Sequence, residues 1–156
     1  MNKFLAIILT TLCLGACAPK HNDYSRFENI DTRGWAYGDT ITIRPQGLDS
    51  VAPRQLSLAI RHNNRYEFRN LWLEVTYGDR RHMLRDTFNL DLADIYGRWH
   101  GKGLGPSYQY ELTIAPRTNI SDSSIVYIRH VMRVDTLKGI EQVGITVSAP
   151  AVKQTL

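Results

Sequence analysis

Apolar and polar residues alternate in run after run along this chain, and no other feature of it restricts the fold as much. Leu56, Leu58 and Ile60 alternate with Ser57, Ala59 and Arg61, and Leu71, Leu73, Val75 and Tyr77 with Trp72, Glu74 and Thr76. The same holds for Phe88, Leu90 and Leu92, for Tyr108, Tyr110, Leu112 and Ile114, and for Val143, Ile145 and Val147. A period of two puts every second side chain on one face, which is the signature of a half-buried strand. Thr40–Arg44 reads as a further short strand stopped by Pro45. Residues 125–132 are apolar on both faces except at Arg129 and His130, as in a central strand. Polar or glycine-bearing breaks at His62–Arg65 and Gly78-Asp79 separate the runs, and Pro116 is expected to end the fifth. The one helix candidate is a turn or two around Leu92–Tyr96. Many strands with little helical periodicity predict an all-β fold, an antiparallel β-sandwich of jelly-roll or immunoglobulin-like type over residues 26–149. Leu56, Leu58, Ile60, Leu71, Leu73, Val75, Leu112 and Ile114 are expected to face its core, and Pro150–Leu156 to be a frayed tail.

At 156 residues the chain suits one domain. Its composition, 43% apolar and 22% charged, excludes collagen-like and wholly disordered classes. The net charge of +4 is scattered along the chain, with no basic stripe of the kind that tracks nucleic acid, so no nucleic-acid partner is expected. Both cysteines, Cys13 and Cys17, lie at the start. The body therefore lacks a disulfide scaffold, a cysteine-based zinc site and a catalytic thiol.

Those first residues read as an address. Met1-Asn2-Lys3 is a short positive start, and Phe4–Leu14 is nearly all apolar, too short to span a bilayer. Leu14-Gly15-Ala16-Cys17 follows and resembles the lipobox of bacterial lipoproteins. The pattern implies cleavage after residue 16 and a diacylglyceryl thioether on Cys17. Residues 1–16 are then a discarded signal peptide, 17–25 a lipidated N-terminus and tether, and the membrane a partner through the lipid.

The densest unusual segment is Gly97-Arg98-Trp99-His100-Gly101-Lys102-Gly103-Leu104-Gly105-Pro106. It reads as a shaped connection between strands with Trp99 plugging the sandwich, or as a loop offering amides and Lys102 to an anion. Trp99, His100 and Lys102 are its candidate interaction residues. Trp99 is expected to pack near His130 and Met132, and Gly103 to need a positive φ. No two of His21, His62, His82, His100 and His130 are spaced as helical metal ligands, and there is no Gly-x-Ser-x-Gly elbow, so no metal, cofactor or catalytic set is expected. Of Trp35, Trp72 and Trp99, at least two are expected in the core. Exposed aromatics would instead suit stacking on sugar rings.

In order along the chain, the lipobox, Asn70-Leu71-Trp72-Leu73-Glu74-Val75, Asp86-Thr87, Gly97–Gly105, His130-Val131-Met132-Arg133 and Gly139-Ile140-Glu141-Gln142-Val143-Gly144-Ile145 resemble the gliding motility lipoprotein GldH family of Bacteroidota. The resemblance implies a cell-envelope lipoprotein without catalytic residues. It implies an accessory or scaffold part of the gliding and associated secretion apparatus, whose partners are other envelope lipoproteins or motility proteins. The expected membrane is the outer rather than the inner one. A surface-anchored carbohydrate-binding module is the alternative the residues leave open, and a hydrolase with an unrecognised site is a third.

Overall fold

A computed structural model describes residues 24–48 and 52–150. Cys13, Cys17, the signal peptide, most of the tether and the tail beyond residue 150 lie outside the described residues. The strands are β1 (Tyr24–Asn29), β2 (Trp35–Ala36), β3 (Ile41–Ile43), β4 (Arg54–Asn63), β5 (Asn70–Gly78), β6 (Met83–Asp91), β7 (Lys102–Leu104), β8 (Ser107–Thr118), β9 (Ile125–His130), β10 (Thr136–Leu137) and β11 (Ile140–Ser148). They form a five-stranded sheet β1-β11-β4-β8-β7, a four-stranded sheet β3-β9-β5-β6 and a small ribbon β10-β2, and every pairing is antiparallel.

The order of the long strands selects the jelly roll over the immunoglobulin-like alternative. β1 pairs with β11, β3 with β9, β4 with β8 and β5 with β6. The chain is thus one long hairpin, folded at β5–β6, whose nested pairs are dealt alternately to the two sheets. The alternating residues meet between the sheets. Leu56, Leu58 and Ile60 of β4 and Val143, Ile145 and Val147 of β11 form one cluster with Leu71, Leu73 and Val75 of β5 and Val126 and Ile128 of β9, all fully buried. Leu112 and Ile114, near the edge of the five-stranded sheet, are only half-buried against that cluster.

Four expectations change. β1 begins at Tyr24, inside the stretch read as tether, because its backbone pairs with β11 although its side chains lack an apolar pattern. The Leu92–Tyr96 helix does not form. Ala93 instead bridges Trp99, and Asp94 Oδ1 accepts the Tyr96 and Arg98 amides to close a tight turn. β8 runs through Pro116 to Thr118, since the register against β4 shifts between Arg54 and Leu56 and leaves the proline outside the ladder. Of the tryptophans only Trp35 is fully buried; Trp99 packs half-buried against the core, and Trp72 is 42% exposed on the outer face of β5.

Candidate functional site

Strand direction sorts the chain into two ends. β1, β4, β6 and β9 finish at one end, where β5, β8 and β11 begin. That end gathers the starts of Asn70–Val75 and Gly139–Ile145, the whole Gly97–Gly105 segment and His130–Arg133. Backbone hydrogen bonds tie these stretches together: Asn63 donates to Gly139, His100 to Leu92, Leu92 to Arg69 and Val131 to Trp72. Of the distinctive stretches in the described residues, Asp86-Thr87 alone sits mid-strand, on β6.

At the centre of this end lies an aromatic cluster built around His62, the last inward residue of β4. Its ring centroid is 4.6 Å from that of Trp99, edge-on, and 5.6 Å from Tyr108, stacked. Tyr66 closes the cluster at 5.9 Å from His62 and donates its hydroxyl to the Asn70 carbonyl at 2.8 Å. The indole N–H of Trp99 donates to Asn64 Oδ1 at 3.0 Å. A second plug lies toward the four-stranded sheet, where His130 sits edge-on between Trp35 at 5.3 Å and Tyr37 at 5.5 Å. Among the described residues, no ring nitrogen of either histidine closes a hydrogen bond of full geometry. Burial pushes the pKa of both down, and nearby backbone groups, Asn63 for His62 and Trp35 and Ala36 for His130, oppose this only in part.

Trp99 therefore packs with His62, Tyr66 and Tyr108, and the ring partners of His130 are Trp35 and Tyr37, not Trp99. Met132 is buried, and its sulfur accepts the backbone N–H of Trp72 at 3.3 Å. The glycine segment acts as a shaped connection. Gly97, Gly101 and Gly105 have positive φ, but Gly103 does not. A Cβ on Gly103 would lie 2.9 Å from the Tyr108 ring and 3.0 Å from the Ser107 carbonyl, so close approach rather than backbone sign demands glycine there. His100 and Lys102 are exposed.

Around the cluster, Glu141 accepts from Asn63 Nδ2 and Ser107 Oγ, both at 2.8 Å, and these bonds lower its pKa. Among the described residues no three His, Cys, Asp or Glu side chains converge as metal ligands. Amid exposed charged side chains such as Arg65, Lys102 and Arg133, this end also presents apolar surface. Ile95 and Tyr96 stand 76% and 78% exposed at the tip of the Asp94 turn. Arg98 closes that turn, bonded to Asp94 Oδ2 at 2.7 Å and lying over the Tyr96 ring. Tyr37 and Trp72 add exposed aromatic surface nearby. Reading the sequence missed His62, Tyr66 and Glu141. The period-two phase of Leu56, Leu58 and Ile60 carries on to His62, and that of Val126 and Ile128 to His130; extending each run by one step finds both.

The sequence profile of the GldH lipoprotein family matches residues 22–147. The gliding motility lipoprotein GldH homolog of Christiangramia forsetii is 26% identical over 149 residues, covering 88% of this chain and 90% of the relative. Among solved structures, the tobacco streak virus coat protein aligns over 91% of this chain and 96% of its own at 11% identity, with a TM-score of 0.28. Running from before the first strand to the penultimate residue of the last, the profile match makes this chain a member of the GldH lipoprotein family.

Proposed function

We propose that the chain is an envelope lipoprotein anchored through Cys17 and a non-enzymatic accessory of the gliding apparatus, working by protein–protein contact at the end of the sandwich that carries Trp99. One observation carries the docking surface. The chain from Cys17 enters the fold at Tyr24, which pairs with Val147 at the end of β11, while the glycine segment and the His130–Arg133 stretch lie at the other end. An anchor at Cys17 thus turns the Trp99 end away from its membrane. Ile95 and Tyr96, on a turn closed by hydrogen bonds between Asp94 and Arg98, have the exposed apolar character of an interface anchor. Trp99 shapes the base of that loop, and His100 and Lys102 are its polar rim. The anchor itself is expected at the outer membrane.

The test is complementation of a gliding bacterium deleted for its own family member. Cys17→Ala is expected to lose palmitate labelling and leave the membrane fraction. Ile95→Ser with Tyr96→Ala is expected to keep the protein folded and anchored but to abolish colony spreading. Met83→Ser with Leu84→Ser, which removes an apolar pair exposed at 39% and 57% at the opposite end, should leave spreading intact. Spreading that survives the Ile95 and Tyr96 changes would defeat the docking reading, and palmitate on the Cys17→Ala protein would defeat the anchor.

A further inference from the structure

The charge of the folded body is not spread evenly along its long axis. At the end that carries Trp99, residues 29–39, 62–72, 91–107 and 130–141 hold seven Lys or Arg and seven Asp or Glu. The middle of the sandwich holds four of each. At the Tyr24 end, the described residues comprise Arg44, Arg54, Arg80, Arg81 and Arg117 beside Asp79 and Asp122, an excess of +3. The entire net charge of the described residues therefore sits at the end where the chain enters. Arg44, Arg80 and Arg81 line a shallow hollow of about 470 Å³ between the β5–β6 turn and the segment before β9, together with Asp79, Asp122 and Ser123. None of the three arginines closes a salt bridge among the described residues. The two carboxylates are held by backbone amides instead. Asp79 accepts the Arg81 and His82 N–H groups, and Asp122 accepts the Leu48 N–H at 2.6 Å.

We infer that this basic end is a docking surface for the anionic phosphate headgroups of the membrane that holds the protein. The inference rests on the reading of Cys17 as the anchor. Six residues, 18–23, separate that cysteine from Tyr24, and at full extension the seven steps between the two reach about 25 Å. The body cannot drift far, and thermal motion brings its nearer end repeatedly within a Debye length, about 8–10 Å, of the headgroups. At that distance each basic side chain is attracted to an anionic leaflet, and guanidinium forks match phosphate oxygens in pairs. The neutral opposite end feels no net pull. The charge asymmetry thus acts as a torque that seats the Tyr24 end on the bilayer and holds Ile95 and Tyr96 outward.

The experiment uses the chain from residue 17 onward with Cys17→Ser, which carries no lipid and keeps every residue of the sandwich. Its sedimentation with phosphatidylcholine vesicles containing 30% phosphatidylglycerol is compared with that on phosphatidylcholine alone. Binding is expected only to the anionic vesicles, and to weaken as salt rises. The triple variant Arg44→Gln, Arg80→Gln, Arg81→Gln should lose at least tenfold in affinity. The triple variant Arg65→Gln, Lys102→Gln, Arg133→Gln, with the same charge change at the other end, should stay within threefold. Equal losses in both variants, equal binding to neutral vesicles, or no binding to either overturns the docking surface. Palmitate labelling of the full-length chain separates this from the anchor. Labelling without selective vesicle binding sinks the surface and spares the anchor; selective binding without labelling upholds the surface and sinks the anchor.

Discussion

His62 and His130 are buried and close no ring-nitrogen hydrogen bond of full geometry among the described residues, so both make the fold sensitive to acid. Each has a folded pKa below its unfolded value of about 6.5, so the unfolded chain takes up protons first. Their contribution to stability is complete above that value and is lost as pH falls through it toward the folded pKa, at no more than about 1.4 kcal/mol per pH unit for each ring. The melting temperature is expected to drop between pH 7.5 and 5.5, and His62→Phe to flatten that drop in a thermal melt. Gly139 is a second critical residue. Its φ is +80°, and a Cβ there would lie 2.2 Å from the Tyr66 backbone nitrogen. Gly139→Ala should cost about 3 kcal/mol by urea unfolding, more than the backbone sign alone would impose. Gly103→Val should also destabilise, through the Tyr108 ring and the Ser107 carbonyl rather than through φ.

The central strand β5 shows how unequally the two faces of one strand contribute. On its inner face Leu73 is fully buried, and Leu73→Ala should cost about 2–5 kcal/mol. On its outer face Glu74 joins three strands, bonded to Arg129 of β9 at 2.6 Å and Arg85 of β6 at 2.5 Å. The bond to Arg129, then that to Arg85, hold its pKa down to about 2. What this contributes is present above the unfolded carboxylate value and lost as pH falls toward 2. Because both arginines are substantially exposed, Glu74→Ala should cost only about 1 kcal/mol or less, and high salt should shrink that difference in urea unfolding. Strand phase was legible in the sequence because each face has its own polarity. Strand ends were less so. Pro116 sits inside β8 because a register shift in the ladder excuses its missing N–H, and no local signal marks that shift.

Across the whole molecule, the separation of chain entry from the Trp99 end governs what each surface can meet. In vesicles carrying the lipidated protein, a thiol placed by Ile95→Cys should react quickly with a bulky maleimide. One placed by Ser123→Cys, in the hollow of the basic end, should react at least several-fold more slowly. Equal rates would mean that the body has no preferred orientation on the bilayer.

The sequence by itself determined the class of the fold and the inward face of the long core strands, because side-chain alternation is a local, periodic property. Tertiary structure alone decided that the strands nest as a jelly roll, since both sandwich types bury the same alternating faces and differ only in which distant strands pair. It also decided the company of Trp99. The glycine segment and the His130–Arg133 stretch do meet at one end, but the indole turns to His62, Tyr66 and Tyr108 while His130 is enclosed by Trp35 and Tyr37. Charge followed the same rule. Its total is read from composition, but its concentration at the Tyr24 end exists only because Arg44, Arg54, the turn at residues 79–82 and the segment 119–124, remote in sequence, come to the same end of the sandwich.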